Sequence, residues 1–147
     1  MTAQPTRIDP RISSSFSRQG LMTTFHASLV EAAGGFCRIE APILPGATQQ
    51  HGAGHAGLTF ALADSAAGYA ALTLMPPGQE VMTAEAKINL IAPALGERLI
   101  ARGRVVKAGR RLTVVTAEVV AVTGDKEHSI AIFQGTMVPV DAATDRG

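Results

Sequence analysis

The chain has no tryptophan, one tyrosine and one cysteine. With aromatic residues at 4% and hydrophobic residues at 46%, its core must be aliphatic, built from Ala, Val, Leu and Ile. A single cysteine, Cys37, excludes an intramolecular disulfide. It lies in an alternating apolar segment with no base beside it in sequence, and so reads as buried filler. An excess of one charge is also missing. Thirteen Lys and Arg against 12 Asp and Glu leave a net charge of +1, which gives no footprint for nucleic acid. Met1–Gly20 carries Arg7, Arg11 and Arg18 but no apolar run, so no secretory signal is expected and a cytoplasmic location is. Ala56–Met75 is long and apolar enough to raise the question of a membrane span. However, it is built from Ala and Gly rather than Leu, has no close Lys or Arg flank, and holds Asp64 at its centre. The expectation is a helix enclosed by a soluble core.

The 147 residues fit one domain over 16–140, with loose tails at 1–15 and 141–147. Leu21, Phe25 and Leu29 at four-residue spacing predict an amphipathic helix from Phe16 to Ala33, ended by Gly34-Gly35. Phe36–Leu44 reads as a strand closed by Pro45-Gly46. A central helix is predicted over Ala56 to Leu74 and is stopped by Pro76-Pro77-Gly78. Four strands follow: Val81–Ala92, Arg98–Lys107, Leu112–Val122 and Ser129–Val138. In the first of them Met82, Ala84, Ala86, Ile88 and Leu90 alternate with Thr83, Glu85, Lys87 and Asn89. The order predicts an α+β fold in which a meandering antiparallel sheet wraps one long helix. One sheet covers such a helix only in part, and an edge strand invites pairing between subunits.

The chemistry concentrates where His51-Gly52-Ala53-Gly54-His55-Ala56-Gly57 runs into the central helix. A helix start offers unpaired N–H groups and a positive dipole end, both suited to an oxyanion. Two turns later Asp64 stands alone in an apolar helix, a costly position for a carboxylate without a role or a partner. This combination points to attack on an activated carbonyl. Two histidines four apart hint at metal, but the glycines between them disfavour a ligand pair and no further ligand is apparent, so no metal is expected.

These residues resemble the hotdog-fold acyl-CoA thioesterases of the PaaI type, from about Gly35 to Val138. The family signature, His-Gly-Gly, six residues and Asp, is matched by His55-Ala56-Gly57 and Asp64-Ser65-Ala66, with Ala56 in place of the commoner Gly. Thr83-x-Glu85-x-Lys87-Ile88-Asn89 followed by Pro93-Ala94-x-Gly96 matches a second stretch, and Gly109-Arg110-Arg111 a hairpin motif. Many members carry Asn where this chain has Gln49. The resemblance implies a hotdog fold and hydrolysis of acyl-CoA without metal or redox cofactor. It also implies a dimer that pairs into a tetramer, with sites shared between protomers.

Spacing leads to the same sharing. Gly57 and Asp64 are seven residues apart on one helix, roughly 10 Å of rise, so one carboxylate cannot reach a carbonyl held at its own helix start. Asp64 of one chain must therefore meet Gly57 of another, and a two-fold dimer follows. Asp64 is the expected general base or nucleophile, and the Gly57 N–H the oxyanion donor. His55 orients the loop or the carbonyl. Gln49 holds the attacking water or the loop, and Thr83 helps seat the water, although strict alternation places it on the polar face unless the strand bulges. Ala56, Gly68 and Asn89 are expected to line the substrate path, and Arg110 and Arg111 to meet coenzyme A phosphates. Arg98, Arg102 and Arg104 read as a solvated strand face. Two rivals are a hotdog hydratase or dehydratase, which needs a histidine and a carboxylate converging on one carbon, and a non-catalytic acyl-CoA-binding module.

Overall fold

The computed structural model describes residues 6–142. Two short helices, α1 (Pro10–Ser17) and α2 (Gly20–Thr24), precede strands β1 (Ser28–Ala33) and β2 (Phe36–Pro42). The central helix α3 spans Ala56–Leu72. It is followed by β3 (Gln79–Leu90), β4 (Arg98–Ala108), β5 (Thr113–Thr123) and β6 (Lys126–Asp141). All six strands form one antiparallel sheet in the order β1-β2-β4-β5-β6-β3. Every strand contacts α3, so the sheet curves around the helix as the sequence led us to expect.

Alanines and glycines make that enclosure possible. Ala63, Ala66, Ala67, Ala70 and Ala71 are fully buried, and Leu58, Leu62 and Leu72 fill the wider gaps. The closest approach is at Gly103 of β4, where an added Cβ would lie 2.4 Å from the Ala66 carbonyl. Cys37 is buried in this core, and burial together with the Glu31 charge raises its thiol far above the ordinary range. No helix among the described residues is long and apolar enough to cross a membrane.

Three expectations are corrected. The first is the helix over Phe16–Ala33. Its second half is β1, and Gly34-Gly35 forms the two-residue hairpin into β2, with φ of 60° and 81°. Positive φ at both centres is what such a tight hairpin requires. The second is the loose tail. Residues 1–5 lie outside the described residues, but α1 starts at Pro10 behind an Asp9 cap and buries Ile12 completely. Arg11 donates to the carbonyls of Leu72 (2.7 Å), Met75 (3.1 Å) and Pro76 (3.0 Å), at and just beyond the end of α3. Leu72 O and Pro76 O also accept the N–H groups of Met75 and Gln79, and the guanidinium adds a cation at the negative end of the helix. At the other end of the chain β6 extends to Asp141, and residues 143–147 lie outside the described residues. The third is the meander. β4, β5 and β6 follow one another as hairpins, but β3 crosses to the far edge and pairs with β6.

The strand arginines fill the solvated role expected of them. Arg98 pairs with Glu40 (3.4 Å), Arg102 with Glu127 (2.6 Å), and Arg104 stacks over the Phe36 ring. The Arg102 guanidinium holds the Glu127 carboxyl below the usual carboxylate range.

Gly103→Ala is expected to cost about 2–3 kcal/mol, because helix backbone rather than a flexible side chain must give way. Urea unfolding beside Gly46→Ala, where an added Cβ meets nothing within 4 Å, provides the measurement and its neutral control.

Candidate active site

The loop before α3 is pinned on three sides. Gly54 N–H donates to Ala94 O (2.8 Å), Gln49 N–H to Ala53 O (2.8 Å), and His55 N–H to Ala47 O (2.8 Å). This gives the Pro93-Ala94-x-Gly96 stretch a structural job. Ala94 is buried against Gly54, and Gly96 sits where a Cβ would press on the Val122 carbonyl at 2.7 Å. The loop thereby presents the start of α3 at a fixed place, with Ala56 and Gly57 exposed.

His55 is the N-cap of α3, and its Nδ1 accepts the Gly57 N–H at 2.7 Å. The expected oxyanion donor is thus held by a neighbouring ring. Gln49 turns its side-chain oxygen back onto the His51 N–H, and it also lines a cavity of about 450 Å³ with Ala56, Thr59 and the segment Leu90–Ala94.

Asp64 lies two turns further along α3 and is half-buried. The Thr83 hydroxyl donates to its Oδ1 at 2.7 Å. This contact depends on a bulge in β3. Thr83 pairs with Met137 and Glu85 with Thr136, so Ala84 is the extra residue. Up to Thr83 the odd positions face the helix. Beyond the bulge Ala86 and Ile88 do, as the alternation predicted, while Met82 is 56% exposed. A one-residue insertion exchanges the faces of a strand, and here it delivers Thr83 to the carboxylate. Thr83 holds one Asp64 oxygen, and Oδ2 has no hydrogen-bond partner among the described residues.

A second cavity, about 480 Å³, opens beside Asp64. Its walls are Ser15, Arg18, Gln19, Ser65, Gly68, Tyr69, Glu80, Val81, Thr83 and Met137. Of these walls only Gly68 and Thr83 were expected from the sequence as site residues. The signal that would have found Ser15 and Gln19 is Asp9-Pro10, an N-cap followed by proline at the first helical position.

The structure does not bring the remaining expected residues to Asp64. Asn89 is exposed near the far end of β3. Arg110 and Arg111 are exposed in the β4–β5 hairpin, where Arg110 shares a cleft with Leu74 and Met75 just beyond the end of α3. His55 and Asp64 do not converge within one chain. Among the described residues no cluster of three His, Cys, Asp or Glu side chains could hold a metal ion.

Residues 51–128 match the family model described as Thioesterase superfamily, more than half of the chain. The chain belongs to the thioesterase superfamily. Its fold is the hotdog fold, and by family it is a thioester hydrolase. A thioesterase family protein from Silicibacter pomeroyi is 39% identical, over 90% of this chain and 97% of its own, with a TM-score of 0.87. A conserved protein from Pseudomonas aeruginosa is 29% identical, over 83% and 94%, with a TM-score of 0.75. The Escherichia coli PaaI protein of the phenylacetic acid degradation operon shares the fold at 19% identity, over 87% and 89%, with a TM-score of 0.78. No curated protein matches the chain.

Thr83→Val is expected to lower kcat about tenfold with little change in KM, and Thr83→Ser to restore it, as steady-state kinetics will show. His55→Ala is expected to cost about 1 kcal/mol of stability, the value of a helix cap, while leaving most turnover intact. Loss of turnover on the scale of an Asp64 variant would instead put His55 in the chemistry.

Proposed function

We propose that the protein hydrolyses acyl-CoA thioesters to a free carboxylic acid and coenzyme A, at two equivalent sites of a homodimer. The observation that carries this reading is the state of Asp64: one oxygen is fixed by Thr83, the other is free, and a cavity lies alongside. In the hydrolytic step a water oxygen bonds to the thioester carbonyl carbon as its proton passes to Asp64 Oδ2. The carbonyl oxygen becomes an oxyanion at the Gly57 N–H of the partner subunit. Collapse breaks the carbon–sulfur bond, and the departing thiolate takes the proton from Asp64. In the covalent alternative Oδ2 itself attacks, and water then cleaves the mixed anhydride.

The cap on Gly57 suits this role. A neutral carbonyl gains little by displacing the His55 nitrogen, whereas an oxyanion forms a charge-assisted bond about twice as strong. The donor therefore favours the transition state over the bound substrate.

Two features support the dimer. The strip Gly57, Phe60, Ala61 and Asp64 on α3 is incompletely covered in one chain, with Phe60 38% exposed. Beside it β3 is an edge strand of 12 residues, bonded only to β6. Two copies related by a two-fold axis pair these edges and carry each Asp64 toward the other's helix start. Pairing of dimers into a tetramer, a cytoplasmic location, coenzyme A phosphates held by Arg110 and Arg111, and independence of metal and redox cofactors complete the proposal.

The test is thiol release from short, long and aryl acyl-CoAs by wild type and Asp64→Ala. Wild type is expected to turn over some of the panel, and Asp64→Ala to lose about two to four orders of magnitude while remaining folded. No thiol from any substrate overturns the proposal.

A further inference from the structure

The cavity beside Asp64 is polar where an alkyl pocket would be greasy. Beyond Gly68 its wall is a chain of hydrogen bonds that joins the N-terminal helices to α3. Ser65 Oγ donates to Gln19 Oε1 at 3.0 Å, Gln19 Nε2 donates to Tyr69 Oη at 3.0 Å, and Ser15 Oγ and Tyr69 Oη lie 3.1 Å apart.

The donor count leaves a surplus. The Ser15–Tyr69 contact uses one hydroxyl hydrogen, whichever residue supplies it. The other hydroxyl hydrogen of the pair has no acceptor among the described residues, and both residues line the cavity. Tyr69 is only 5% exposed, held by the Phe16 ring at 6.1 Å. It cannot swing out to water. The spare donor faces the cavity, where a ligand oxygen can take the place of water as its acceptor. On α3 Tyr69 stands five residues beyond Asp64, roughly 7 Å along the axis. Gly68 lines the cavity between them.

We infer that this chamber selects short acyl groups carrying an acceptor oxygen at the end remote from the thioester, recognised by the Ser15–Tyr69 hydroxyl pair. α1 and α2 close the chamber and set its length. The inference rests on the thioesterase reading and specifies its substrate class. An apolar methyl terminus would displace water from the donor without replacing its hydrogen bond, and a long alkyl chain would run into the bridge between Gln19 and Tyr69.

The experiment compares kcat/KM for ω-hydroxyhexanoyl-CoA and hexanoyl-CoA, with dodecanoyl-CoA as the long-chain arm, in wild type and Tyr69→Phe. Wild type is expected to prefer the hydroxylated substrate about tenfold and to reject the dodecanoyl chain. Tyr69→Phe is expected to bring the ratio of the two hexanoyl substrates close to unity. Equal turnover of both by wild type overturns the inference without touching the thioesterase reading, and so does a ratio that survives Tyr69→Phe. Should that variant fail to fold, the wild-type ratio decides alone. Thiol release from none of the three, in an enzyme that cleaves other acyl-CoAs, also overturns the inference. Silence toward every acyl-CoA overturns the underlying activity as well.

Discussion

A straight helix cannot fold back on itself, so its first turn never meets a carboxylate two turns further on. That constraint governs this protein. The Gly57 N–H and Asp64 are both fixed to α3, and α3 is locked into its sheet by Gly103 and by Arg11 at its far end. Neither group can travel to the other. The cavity at the helix start and the cavity at the carboxylate lie apart accordingly. The separation of the two groups within one chain follows from helix rise and backbone packing before any question of catalysis arises.

The same rigidity explains the composition. A sheet wraps a helix closely only where side chains are small, and five of the eleven buried residues of α3 are alanine. Where the sheet stops, at β3, the strip from Gly57 through Phe60 and Ala61 to Asp64 is incompletely covered. The bulge at Ala84 belongs to this boundary. It turns Thr83 inward at the carboxylate and returns the strand to ordinary alternation by Ala86. The polar wall of Ser15, Gln19 and Tyr69 is likewise a consequence of closure, because α1 and α2 cover the end of the chamber that the sheet leaves open.

Much of this was legible in the sequence, unevenly. α3 declared itself through its apolar run and the Pro76-Pro77-Gly78 stop, and β4 and β5 through alternation between turn signals. The places of His55 at the helix start and of Asp64 two turns on could be read from the sequence. β1 could not. Ser28–Ala33 is short and carries Leu, Glu and Ala, which suit a helix, so the Leu21–Phe25–Leu29 spacing dominated. Only its tertiary pairing with β2 across Gly34-Gly35 makes it a strand. The position of β3 beside β6 is equally non-local, and no pattern within residues 79–90 encodes it. The inward turn of Thr83 was open to sequence reading only as a condition, since a bulge leaves the residue types unchanged. His55 was placed correctly at the helix start, but its Nδ1 cap on Gly57 is a rotamer choice that sequence does not express.

The central claim is that each site takes Asp64 from one protomer and the Gly57 N–H from its partner. Mixing two inactive variants tests it most directly. Asp64→Ala removes the carboxylate, and Gly57→Pro removes the N–H at a first-turn position where proline is tolerated. Co-refolded in equal amounts, half of the dimers are mixed, and each mixed dimer holds one intact site. The account predicts recovery of roughly a quarter of wild-type thiol release, from a mixture of parents that are each nearly inactive. A mixture that forms mixed dimers yet stays as inactive as its parents would contradict it.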